Sequence, residues 1–269
     1  MTMGGIRLTV RLALFSAFLL TTALIAAACL LAESVSRRAI NRAPIARFCF
    51  HGASRCLGLR IRLQGTPAAG PVLLVSNHIS WSDIPVLGGT VPLRFLSKAE
   101  VGRWPVIGWL ARQAGTLFIV RGGGRAREAR QEIASTLCGG QSVLIFPEGT
   151  TSTGLTVLPF HSRLLQAAAD ANVAIQGISI AYTRQGRPDH LAPFIGDDEF
   201  QSHLPRLLRQ PAVDVTVAFH PPAQIGADRS LTEVVEQVQE TVAGGVRQIY
   251  RERAIEAGRD AGEPVRQQA

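Results

Sequence analysis

The sequence predicts a single α/β domain with a central, largely parallel sheet flanked by helices, preceded by an N-terminal membrane-anchoring helix. Three observations predict it. Short apolar runs rich in Val and Ile alternate with helix-patterned segments from Pro71 to Arg253, the pattern of a parallel sheet with helical crossovers. Three of these runs end in polar or turn-forming residues, the composition of a ligand crevice beyond the carboxyl ends of strands. Leu12 to Ala32 carries no charged residue.

Those 21 residues, at a helical rise of about 1.5 Å each, suffice to cross a hydrocarbon core of about 30 Å. A cleaved signal peptide competes, because Arg7 and Arg11 precede the run and Ala26-Ala27-Ala28 resembles a cleavage site. The run continues through Cys29-Leu30-Leu31, however, and Arg37, Arg38, Arg42 and Arg47 follow it. Residues 1–36 are therefore read as an uncleaved anchor. The denser arginines after it favour a body on the cytoplasmic face of a bacterial-type inner membrane. A helix that dips into one leaflet fits as well. Residues 37–64 read as a basic amphipathic segment at the anionic membrane surface, with a solvated helix face leading into the first strand as the alternative.

The α/β body is placed at 65–257, beginning at the turn Gly65-Thr66-Pro67-Ala68-Ala69-Gly70. Val72–Val75, Leu93–Leu96, Thr116–Val120, Ser142–Phe146, Val173–Ala181 and Val213–Phe219 read as strands. Ile84–Leu87, two short pieces within Lys98–Arg112, Ala126–Leu137 and Leu164–Ala171 read as helices. Thr232–Arg253 closes the body as a long helix with Val234, Val235, Val238, Val242, Val246 and Ile249 on one stripe. The polar tail 258–269 reads as disordered.

The net charge is +8, from 28 Lys+Arg against 20 Asp+Glu, and the basic residues are overwhelmingly arginine. This suits an anionic partner such as a lipid headgroup, a phosphorylated substrate or an acidic carrier protein. Nucleic acid is the weaker reading and is not expected as a partner, since zinc-ligand spacing is missing and few aromatics interleave with the basic residues. Cys29, Cys49, Cys56 and Cys138 form no C-x-x-C pair, so free thiols and no metal site are expected.

His78 and Asp83 stand five residues apart just past a buried strand. A carboxylate that accepts one imidazole N–H fixes the tautomer and leaves the other nitrogen as a base for a hydroxyl attacking a carbonyl. The alternative is that His78 caps a short helix whose first turn carries Asp83. Two further strand ends add Arg121 with Gly122–Gly124, and Glu148, Gly149, Thr150 and Thr151. Brought into one crevice, these supply a base, its orienting carboxylate, a cation, hydroxyl partners and loop N–H groups for an oxyanion.

Asn77-His78-x4-Asp83, Gly115-x-x-Phe118-x-x-Arg121 and Phe146-Pro147-Glu148-Gly149-Thr150, in that order, resemble the glycerolipid or lysophospholipid acyltransferase family, over residues 60 to 222. The resemblance implies transfer of a fatty acyl chain from acyl-carrier protein or acyl-CoA to a lysolipid hydroxyl at a membrane. It implies His78 and Asp83 as the catalytic pair, and Arg121, Glu148, Gly149 and Thr150 as acceptor-binding. It implies no metal and no bound cofactor, the thioester being a substrate. Members acting on lysophosphatidate commonly carry Arg where this chain has Thr151, and Lys where it has His161. Gln176–Tyr182 and Gly196-Asp197-Asp198-Glu199-Phe200-x-x-His203-Leu204 are similar to the lyso-ornithine-lipid branch, whose zwitterionic acceptor lacks phosphate. Thr151 is accordingly placed with the acceptor-binding residues. Lysophosphatidate remains the competing acceptor. The other function classes are a lipid hydrolase, weakened by the missing Gly-x-Ser-x-Gly elbow, and a non-catalytic lipid-binding scaffold.

Overall fold

The computed structural model describes residues 2–120, 125–226 and 229–260. Helix α1 (Met3–Ser36) is followed by α2 (Ala43–Cys56) and strand β1 (Leu59–Gln64). Then come β2 (Leu73–Ser76), α3 (Asp83–Gly88), β3 (Arg94–Lys98), α4 (Ile107–Gln113), β4 (Leu117–Ile119), α5 (Ala126–Cys138) and β5 (Val143–Ile145). The chain ends with α6 (Gln166–Asp170), β6 (Ile175–Arg184), the two-residue β7 (Arg187–Pro188), α7 (Phe200–Arg209), β8 (Val213–Phe219) and α8 (Leu231–Asp260).

The strands form one sheet in the order β1-β8-β6-β2-β5-β3-β4, with β7 paired to β6. Neighbours are parallel from β6 to β4 and between β1 and β8. β8 runs antiparallel to β6, so β1 and β8 form a reversed edge on a parallel sheet, a frequent arrangement in mixed sheets. Alternate residues face opposite sides, as the two-residue strand period requires. Leu74, Ile178, Ile180 and Tyr182 join Val86, Leu87, Leu207 and Leu208 on the face covered by α3 and α7. Leu73, Val75, Val143 and Ile145 join Ile133, Leu137, Val234, Val238 and Val242 on the face covered by α5 and α8. Every residue of the expected α8 stripe is buried.

α1 is long and apolar enough to cross a membrane, with a mean hydropathy of 2.3 over its most apolar window. Its first turns also dock on the body. Phe15 is buried, and Arg11 Nη1 donates to the carbonyls of Gln210 (2.8 Å) and Leu208 (3.4 Å) at the end of α7, where a cation meets the negative pole of a helix. The segment expected to lie outside the body at 37–64 is built into it. β1 pairs with β8 from Leu59 to Gln64, and Phe50 of α2 meets Phe95 edge-on, with ring centroids 5.7 Å apart. The sheet thus begins before the turn at residue 65, because the apolar alternation of Leu59, Ile61 and Leu63 suits an edge strand. Arg47, Phe48, His51 and Arg55 remain on the exposed face of α2. The expected tail begins as helix, since α8 runs to Asp260, and 261–269 lie outside the described residues.

Gly65 has φ +69° and closes this edge, and a Cβ there would sit 2.1 Å from the carbonyl oxygen of Phe219. Gly70 has φ +79° with open space around it. Gly65→Ala should therefore cost at least about 2 kcal/mol, combining positive-φ strain with a backbone clash. Gly70→Ala should carry the φ strain alone. Thermal unfolding of the two variants in detergent checks the difference, and equal melting temperatures would contradict it.

Candidate active site

Parallel pairing of β2 with β5, in register from Leu73↔Val143 to Val75↔Ile145, delivers the loops after both strands to the same end of the sheet. The first loop carries His78 and the second Glu148. Asn77, buried at the end of β2, pairs both ways with the backbone of β6: Nδ2 donates to the Ile180 carbonyl (3.0 Å) and Oδ1 accepts from Ile180 N–H (2.9 Å). The chain is thus fixed immediately before His78.

His78 Nδ1 lies 2.8 Å from Asp83 Oδ2. Asp83, in the first turn of α3, is fully buried, and its Oδ2 also accepts from the N–H groups of Ile79 (2.7 Å) and Ser80 (3.0 Å). Its Oδ1 accepts from the Tyr182 hydroxyl at 2.7 Å. Burial, reinforced by the Asp83 charge, pushes the Tyr182 phenol well above its ordinary range, so it stays a donor. Its one proton goes to Asp83, and Ser82 Oγ, 2.9 Å away, donates to Tyr182 in turn. An ionised Asp83 keeps the His78 proton on Nδ1, leaving Nε2 as the basic nitrogen. The imidazole stacks on Phe146, with centroids 3.8 Å apart and planes 14° from parallel, and its side chain is 19% exposed.

The Glu148 loop grips the same residue from the backbone. Glu148 Oε1 accepts from His78 N–H (2.9 Å), Oε2 accepts from Leu158 N–H (3.1 Å), and Ser152 N–H donates to the His78 carbonyl (2.9 Å). Glu148, which the sequence offers as a partner for an acceptor hydroxyl, is buried with an oxygen on each of two loops. Burial pushes its carboxyl up to about 7, even though both N–H donors pull it down.

His78, Glu148, Gly149, Thr150 and Thr151 line one cavity of about 900 Å³, the upper end of the range for ligand pockets. Gly149 N–H donates to the Phe146 carbonyl at 3.1 Å, and Thr150 is exposed. Thr151 Oγ1 donates to the Phe194 carbonyl, and Phe194 N–H donates to that of Ile79 (2.9 Å). His161 and Arg163 line the cavity, as do Phe15, Phe18 and Leu19 of α1 and Ile45 and Phe50 of α2. Asp83 stands behind His78. Arg121 lies outside the described residues.

The acyltransferase family pattern matches residues 60–181. The chain is 47% identical over 208 residues to a lyso-ornithine lipid O-acyltransferase of Pseudomonas aeruginosa, covering 77% of this chain and 78% of that one. The chain belongs to the acyltransferase family. A 1-acyl-sn-glycerol-3-phosphate acyltransferase of Neisseria gonorrhoeae is 30% identical, over 75% of this chain and 80% of that protein. The acyltransferase also shares its fold with the crystal structure of the 1-acyl-sn-glycerophosphate (LPA) acyltransferase from Thermotoga maritima, at a TM-score of 0.63 and 23% identity, covering 90% and 97% of the two chains.

No motif in the sequence marks Tyr182 as a partner of Asp83, or Phe146 as the ring beneath His78. Phe146 opens the Phe-Pro-Glu-Gly-Thr run, so its part in the site was within reach. Tyr182 left only a faint signal: a buried phenol on an apolar strand needs a hydrogen-bond partner.

In this acyltransferase native Glu148 holds its proton between its ordinary 4.5 and about 7, a window in which the unfolded chain has released it. Its contribution to stability is therefore full below that window and is lost as pH rises through it. Relative to Glu148→Gln, the wild-type melting temperature should fall from pH 5 to pH 7.5 and level off above. Parallel curves for the two proteins would show that Glu148 ionises normally.

Proposed function

We propose that this acyltransferase is a membrane-bound enzyme that transfers a fatty acyl chain from a thioester, acyl-carrier protein or acyl-CoA, to the hydroxyl of a lysolipid, with lyso-ornithine lipid as acceptor. The observation that carries the reaction is the His78–Asp83 pair at 2.8 Å, backed by Tyr182 and opening on a large apolar cavity. The acceptor oxygen attacks the thioester carbonyl carbon while His78 Nε2 takes its proton. Backbone N–H groups of the 146–152 loop are assigned to the resulting oxyanion. The intermediate collapses with cleavage of the C–S bond, and the leaving thiolate receives the proton from His78. An ester and a thiol result. Among the nearby hydroxyls, Ser76 Oγ donates to the Asn77 carbonyl and Ser82 Oγ to Tyr182, so neither is paired with the imidazole as a hydrolase nucleophile.

For the acceptor, Thr151 is the telling residue. Its hydroxyl holds the Phe194 carbonyl and supplies no positive charge for a phosphate. The relative from Pseudomonas aeruginosa supports the same choice. Arg121, Gly149 and Thr150 are assigned to the acceptor, with Glu148 acting there by bracing the loop. We assign residues 1–36 to the membrane anchor and the exposed Arg47, Phe48 and Arg55 of α2 to the headgroup layer, with the body on the cytoplasmic face of the inner membrane. The apolar length of α1 and the arginines that follow it support this.

Full-length enzyme in membranes, offered lyso-ornithine lipid and lysophosphatidate side by side with both donors, tests the proposal. Transfer to lyso-ornithine lipid is expected, with His78→Ala lowering kcat by at least about 10³-fold while leaving the melting temperature within a few degrees. An active His78→Ala would remove the base. Thr151→Arg should shift relative kcat/KM toward lysophosphatidate about ten-fold, the scale of one charge-assisted hydrogen bond. An unchanged preference would mean that position 151 does not read the headgroup.

A further inference from the structure

The segment Gly196–Leu204 has no part in the chemistry above, yet it sends Phe200 to the cavity wall. Trp81, three residues after His78, meets Phe200 with ring centroids 4.9 Å apart at 67°, and Phe200 meets Trp104 at 5.8 Å and 57°. All three rings line the same cavity as His78. They form an aromatic corner, and its outer member, Trp104, is 42% exposed.

The corner is held in place. Trp81 Nε1–H donates to His203 Nδ1 (3.1 Å), and His203 Nε2–H donates to the Pro193 carbonyl (3.1 Å). His203 is fully buried, and burial pushes its imidazole below its ordinary range, which keeps Nδ1 an acceptor. Asp198 accepts from Ile195 N–H (3.2 Å) and Arg206 Nη2 (2.9 Å), fixing the approach to α7. An aromatic wall meant only for an acyl chain needs neither a buried imidazole to orient an indole nor a partly exposed outer ring. The chain-like lining is already supplied by Phe15, Phe18, Leu19 and Ile45.

Ring faces set at angles around a corner attract a cation through their quadrupoles. Glu100, four residues before Trp104, lines the same cavity and supplies a carboxylate to that wall. Lys98 and Arg163 line it too and suit the carboxylate that an amino-acid headgroup carries beside its ammonium. The ornithine side chain places its ammonium several bonds from the acylated hydroxyl. Its subsite must therefore lie beside His78 and not on it, and Trp81, three residues after His78, lines the same cavity.

We propose that Trp81, Phe200 and Trp104 form the subsite for the ammonium end of the acceptor headgroup, with His203 as the positioning residue for Trp81. The inference rests on the reading of the acceptor as lyso-ornithine lipid.

The test uses full-length enzyme, lyso-ornithine lipid and its N-acetylated analogue, which keeps the hydroxyl and loses the positive charge. Trp104→Leu should raise KM for lyso-ornithine lipid about ten-fold and move KM for the analogue less than about two-fold, the scale of a desolvated cation–π contact. Trp104→Phe should fall between, and Phe200→Leu supplies an independent arm. His203→Leu should lower discrimination between the two acceptors, and His203→Gln, which keeps an acceptor for the indole, should restore much of it. Equal KM shifts for both acceptors in Trp104→Leu and Phe200→Leu would make the corner a plain apolar wall, overturning the inference and leaving the acceptor assignment standing. Wild-type enzyme that acylates lysophosphatidate but not lyso-ornithine lipid would overturn both.

Discussion

A fully buried carboxylate, Asp83, is the constraint around which the site is arranged. An ionised acid in the interior is tolerated only when its lone pairs are met by donors. Here the donors come from four places: the His78 ring, the N–H groups of Ile79 and Ser80, and the Tyr182 hydroxyl. The first three force the 78–83 segment to curl around the carboxylate. The fourth ties that curl to β6 in the middle of the sheet. Removing the Tyr182 hydroxyl takes away the donor that Oδ1 is paired with, so the curl that orients His78 and the packing of the core share hydrogen bonds.

The second tier of order is the β2–β5 register. Because Val75 stands opposite Ile145, the loops after the two strands leave side by side, and their backbones bind one another through Glu148 and Ser152. Glu148 spans the gap at the cost of burying a carboxyl, which is why its proton is held up to about 7. The same loop reaches the segment before α7 through Thr151 and Phe194. Three stretches distant in sequence thus enclose one cavity, and α1 and α2 complete its wall. The long apolar helix and the site are parts of one structure: Arg11 fastens the start of α1 to the end of α7, and Phe15 is buried within the core.

The sequence by itself determined the α/β class, the alternation of strands and helices, the α8 stripe and the apolar helix at the N-terminus. These are local properties, set by periodicity and by where Gly and Pro interrupt it. The His78–Asp83 contact was also legible, because five residues of chain around a turn can close it. Tertiary structure decided the rest. The reversal of β8 against β6, the enrolment of Leu59–Gln64 in the sheet, the Tyr182–Asp83 bond between residues 99 apart, and the use of Glu148 as a brace all depend on which strands become neighbours. Thr151 illustrates the difference. The sequence showed that a guanidinium was missing there, but only the fold gave its hydroxyl a partner, since Phe194 arrives from a segment whose path no local pattern encodes.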